Sequence, residues 1–100
     1  MIENKIYNLI KKIYNYPRSI TGNGTLKTLY EFKKIVPELK ITKVKSGKKI
    51  NGWTVPDEWN FKRAYIKNSN GKTIIDTKNS NLHVVNFSQA VRKKVKLKDL

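Results

Sequence analysis

Up to Pro37 the apolar residues of this chain keep a helical spacing, and beyond it they lose that spacing. From Ile2 to Tyr14, the residues Ile2, Ile6, Leu9, Ile10, Ile13 and Tyr14 recur three and four apart, which places them on one face of an amphipathic helix. Pro17 stops that helix, because the residue before a proline avoids helical backbone angles. Ser19-Ile20-Thr21-Gly22-Asn23-Gly24 then reads as a turn, with two glycines around an Asn that tolerates left-handed geometry. The spacing predicts a second helix from about Thr25, capped by that residue and closed by Pro37, with Leu26, Leu29, Tyr30, Lys33 and Val36 on its inner side.

After Pro37 the pattern turns short and β-branched. Leu39 to Val44 reads as a strand ending at Ser46-Gly47. Phe61 to Ile66 and Lys72 to Thr77 read as two more, joined through Asn68-Ser69-Asn70-Gly71, where the Asn-Gly pair suits a hairpin. Leu82 to Phe87 reads as a last strand, and Val95 to Leu100 as the opening of a further helix. Helices first and strands afterwards predict an α+β fold: two N-terminal helices followed by a small antiparallel β-sheet domain, either a sandwich or a partly open barrel. The segments expected are 1–37 helical, 38–94 mainly β, and 95–100 the start of another element.

The 100 residues suffice for one small domain, and ten aromatics set the chain apart from disordered segments. With no cysteine, disulfides, thiolate metal sites and cysteine nucleophiles are excluded, and packing alone must hold the fold. Charged residues interrupt the first fifteen positions, leaving no stretch for a signal peptide or a membrane span, so membrane insertion is not expected and a cytoplasmic location is. The net charge of +15 makes a polyanion a candidate partner. Nineteen of the 22 basic residues are lysines, however, and base-edge or bidentate phosphate recognition favours arginine, so solubility is the plainer account of the charge.

Chemistry has few places to reside. His83 is the one histidine, and a catalytic zinc commonly takes three protein ligands, so Asp76 seven residues away does not complete a site. Asp57 and Glu58 are adjacent and point apart, a poor arrangement for acid and base acting on one bond. Gly22-Asn23-Gly24 opens like a phosphate-binding loop, but Lys27 stands where the third glycine belongs and the stretch follows a helix rather than a strand. No catalytic and no metal residue is assigned. Trp53-Thr54-Val55-Pro56-Asp57-Glu58-Trp59 carries two tryptophans around a proline, which either cover a core or stack on a ligand.

Taken in order, Arg18 to Gly24, Ser46-Gly47, Trp53 to Trp59, Ala64-Tyr65-Ile66 and Asn81-Leu82-His83-Val84-Val85 resemble a bacterial aminopeptidase-like family, over roughly residues 15 to 95. Its members join an N-terminal domain of unknown function to a zinc-peptidase core and often a C-terminal winged helix. The resemblance implies a small, mainly β domain near the start of a co-catalytic zinc peptidase, with the first helices belonging to the peptidase core. It implies zinc only in that downstream core, and hydrolysis of peptides from their N-terminus by metal-activated water in the whole protein. Arg18, Thr21, Gly22, Gly24, Trp53, Pro56, Trp59, Asn81 and His83 are then motif residues that fix geometry. The expected partner is the remainder of a peptidase core or an oligomer partner, and the expected role is to shape or gate an active site. Asn51, Gly52 and Leu26 depart from the family pattern. The alternative is a stand-alone basic module that binds nucleic acid or another polyanion.

Overall fold

The computed structural model describes residues 1–100. Two helices, α1 (Ile2–Ile13) and α2 (Asn23–Ile35), lead into two separate antiparallel hairpins. The first pairs β1 (Lys49–Ile50) with β2 (Trp53–Thr54), and the second pairs β3 (Tyr65–Lys67) with β4 (Thr73–Asp76). Short 3₁₀ turns follow at Asn81–His83 and Leu97–Asp99. The architecture is α+β with antiparallel pairing, as expected. It closes neither a sandwich nor a barrel, because each two-stranded sheet pairs only within itself.

The second hairpin forms where the sequence places it. Gly71 N donates to Asn68 O at 3.0 Å, and Gly71 takes φ 80°. The Asn68 side-chain oxygen also accepts from the amides of Asn70 and Lys72, both at 3.0 Å. With Asn70 outside the left-handed region, this is a turn followed by a glycine bulge, and the register shifts between Ile66 and Lys67. The first hairpin carries the other Asn-Gly pair. Asn51 at φ 49° and Gly52 at φ 80° occupy the left-handed positions of a two-residue turn, which is the geometry Asn-Gly favours.

Two expected strands are absent. Leu39 to Val44 is irregular, because no neighbouring strand offers it a ladder, and the pairing begins only at Lys49. Leu82 to Phe87 cannot run extended either: the Ser80 side chain accepts from Leu82 N at 3.2 Å and caps a 3₁₀ turn, while Phe87 sits at φ 64°. Helix α2 starts at Asn23 behind Gly22, and Thr25 does not cap it, donating instead to Ser19 O at 2.6 Å.

The inner side of α2 also differs from expectation. Gly24, Thr28 and Glu31 are its buried residues, while Leu29, Tyr30 and Val36 remain exposed. Apolar spacing marks a face that wants cover, and this chain supplies little of it. No apolar side chain is buried at all. The accessible surface is 9203 Å², against roughly 5,900 Å² for a compact monomer of this mass, and the radius of gyration is 17.8 Å where about 13 Å is usual. No helix is long and apolar enough to cross a membrane.

What brings α2 against the preceding turn is a close backbone approach. A Cβ on Gly24 would lie 1.8 Å from the carbonyl oxygen of Pro17, so only glycine fits. Gly47, at φ 84° with open space around its Cβ position, is required for backbone angle alone. Gly24→Ala should destabilise by about 1–3 kcal/mol through the clash. Gly47→Ala should cost about 1–2 kcal/mol through left-handed strain. Urea unfolding followed by circular dichroism reads both, and only in Gly24→Ala should the amides of the 16–28 region shift by NMR.

Candidate functional site

The motif residues of 18–24 and 57–61 converge on one junction. Its centre is the Thr21 hydroxyl, which donates to Asp57 O at 3.2 Å and accepts from Trp59 N at 3.0 Å. Beside it the Asn60 side-chain oxygen accepts from Asn23 N at 2.7 Å, occupying one of the free amides at the start of α2. Ser19 Oγ accepts from Thr21 N at 3.2 Å and also donates to Thr21 O. Gly22, at φ 106°, would place a Cβ 2.4 Å from Trp59 O, so its lack of a side chain lets the two segments touch.

Trp59 extends the junction to a third segment. Its ring lies 5.6 Å from Phe61 and 5.8 Å from Phe87, centroid to centroid, and its Nε1 donates to Ser88 O at 3.0 Å. Those contacts hold Phe87 in its left-handed conformation, an uncommon one for a bulky residue. Arg18 spans the same region: Nη1 donates to Ile13 O at 2.5 Å, and its carbonyl accepts from Asn86 Nδ2 at 3.4 Å. Thr21, Gly22, Gly24 and Trp59 are thus brought together, Arg18 borders them, and Pro56 is half-buried nearby in sequence. Trp53 stands apart on the first hairpin, 51% exposed.

His83 belongs to a different cluster. Its Nδ1 donates to Asp76 O at 3.0 Å, and Asn81 opens the 3₁₀ turn that carries it. The Asp76 carboxylate is gripped by Arg63 through Nε at 3.2 Å and Nη2 at 2.6 Å, and it accepts from Lys78 N at 3.0 Å. Arg63 also lies over the Tyr65 ring at 4.6 Å. The fork–carboxylate bonds from Arg63, then the Lys78 amide, hold the Asp76 carboxyl down at about 2. A third polar contact ties the helices: Glu31 meets Lys12 at 2.9 Å and Lys34 at 3.0 Å, and these partners lower its pKa.

The Asp76 carboxylate is saturated by its partners. No group of three or more His, Cys, Asp or Glu side chains stands ready for a metal ion, so the zinc that the family resemblance implies has no donor set among these residues. A shallow cleft of about 430 Å³ opens between Tyr16, Lys27, Trp59 and Lys62. Its wall holds aromatic rings, amides and lysines, with Lys27 Nζ 4.5 Å from the centre of the Tyr16 ring.

Asn60, Ser88 and Arg63 were not singled out from sequence. Arg63 was accessible in principle, since the register sets Tyr65 against Asp76 and leaves Arg63 one step beyond on the same side of the hairpin. Asn60 and Ser88 carry no local signal, because their partners lie 37 and 29 residues away.

Comparison with known proteins gives this segment relatives. Residues 58–100 match the family described as Domain of unknown function (DUF2172). Over 96 residues the chain is 50% identical to a Clostridium acetobutylicum protein provisionally described as a polysaccharide biosynthesis protein with an aminopeptidase-like domain. The crystal structure of a provisionally named peptidase from the same species superposes with a TM-score of 0.90 at 49% identity, over 97% of this chain. The chain resembles the N-terminal portion of these aminopeptidase-like proteins. It spans 22% of the length of the first relative and 23% of the second.

Two outcomes test the clusters. Thr21→Val removes both hydroxyl bonds and should cost about 1–3 kcal/mol in urea unfolding, while Thr21→Ser retains most of the stability. Because Asp76 is more acidic in the folded state, its contribution is complete above its ordinary value of 3.8 and disappears as pH falls through about 2. The Lys78 amide shift followed by NMR should inflect near 2, and in Arg63→Ala the inflection should move up toward the ordinary carboxylate range.

Proposed function

We propose that this chain acts as the N-terminal, non-catalytic portion of a longer aminopeptidase-like hydrolase, shaping or gating an active site built by downstream residues. The observation that carries the reading is the 50% identity over 96% of the chain to a relative of which it spans only 22%. Its surface supports the same reading. An apolar groove between the helices is lined by Met1, Ile2, Ile6, Leu9, Phe32 and Ile35, and α1 buries none of its residues. The chain exposes roughly 3,300 Å² more than a compact monomer of its mass, well above the roughly 800 Å² that one partner gives to a standard interface. A peptidase core covering the helices accounts for that surface, and zinc belongs to the core in this reading.

The test is a comparison of this chain with the longer polypeptide on amino-terminal peptide substrates, with and without a chelator. The chain alone should show no turnover with any divalent metal. The longer polypeptide should show turnover that the chelator abolishes. Metal-dependent turnover by the pure 100-residue chain would overturn the reading.

A further inference from the structure

The junction and the helix groove leave the β1–β2 hairpin unexplained. Its two large apolar side chains face each other, Ile50 opposite Trp53, and both are exposed, by 38% and 51%. Side chains alternate across a strand, so Lys48 shares their face and Lys49 takes the other. From Leu39 to Pro56 there are five lysines, Lys40, Lys43, Lys45, Lys48 and Lys49, and no acidic residue. None of the five enters an ion pair, although Lys12, Lys34 and Arg63 elsewhere do. The hairpin is therefore an apolar knob among unpaired lysines, with Glu38, Asp57 and Glu58 the nearest acidic residues along the chain.

We propose that this hairpin is a docking finger for a carboxylate-rich protein surface carried by the downstream part of the same polypeptide, with Trp53 and Ile50 entering an apolar socket and the lysines lying over its carboxylates. This rests on the reading that the chain works as part of a longer protein.

The choice of occupant follows from charge. A second copy of the same hairpin brings the same five lysines and is repelled there. Tryptophan in an apolar socket is the usual anchor of a protein interface, and lysine heads around it serve carboxylates as point charges. Nucleic acid fits less well, because Ile50 flanks the ring and no arginine lies between Leu39 and Pro56 to grip a phosphate. A tethered surface also sits at a high effective concentration, so the weak, screened attraction of exposed charges suffices to seat it.

The experiment is hydroxyl-radical footprinting of the longer polypeptide, read by mass spectrometry at Trp53 and Trp59, with metal-dependent peptidase activity measured on the same sample. Trp53 should be labelled severalfold more slowly than in the 100-residue chain, with protection weakening in high salt. Lys48→Glu combined with Lys49→Glu should return Trp53 to the fast rate while Trp59 labelling stays unchanged. An active longer polypeptide in which Trp53 is labelled as fast as in the short chain overturns the docking but leaves the functional reading intact. Protection that appears only on adding a single-stranded oligonucleotide or phosphatidylserine vesicles also overturns it, in favour of a polyanion or a membrane. A longer polypeptide without metal-dependent activity, or a reading frame that stops after Leu100, removes the functional reading and the docking with it.

Discussion

The Thr21 hydroxyl is the centre of the junction between the two halves of this molecule. Thr21 Oγ1 bonds both the carbonyl of Asp57 and the amide of Trp59, so the turn between the helices and the segment after the first hairpin share one polar centre. In most domains such a bond would be an addition to a hydrophobic core. Here no apolar side chain is buried, and the tertiary arrangement leans on polar contacts and backbone fit. Gly22 and Gly24 belong to that constraint, since a side chain at either would drive the segments apart. Asn60 fixes the start of α2, and Trp59 carries the constraint on to Phe87 and Ser88.

The same inversion appears in what the chain buries. Thr28, Glu31 and Asp76 are withdrawn from water while Ile2, Ile74, Leu82 and Val85 are exposed. Glu31 and Asp76 remain charged because lysine and arginine partners satisfy them, which is the condition for burying a carboxylate. The chain thus withdraws two carboxylates beneath exposed cationic partners and leaves most of its aliphatic residues in contact with water. The apolar helix faces are its unused capacity for burial.

Likeness to aminopeptidase-like proteins gives that organisation a context, and the motif set was legible from sequence because it needed only the order and spacing of residues. Hairpins were legible where turn chemistry is explicit, as at Asn68 to Gly71. The Asn51-Gly52 pair carries an equally strong turn signal, yet against the family pattern it reads as a departure in a loop. Leu39 to Val44 and Leu82 to Phe87 have the composition of strands without the partners, and β-branching by itself does not supply a ladder.

By itself the sequence determined the α1 and α2 segments, the hairpin at Asn68 to Gly71 and the family resemblance, because each depends on residue type or short spacing. Only the tertiary structure decided that Thr21, Asn23, Trp59 and Asn60 meet, that Arg63 holds Asp76, and that α2 turns Gly24, Thr28 and Glu31 inward. Those facts depend on contacts between residues far apart in the chain, where a one-dimensional pattern carries no register. The apolar periodicity of the helices stated a need for burial. Where that need is met depends on what packs against them, and periodicity along a strip of sequence has no means of recording it.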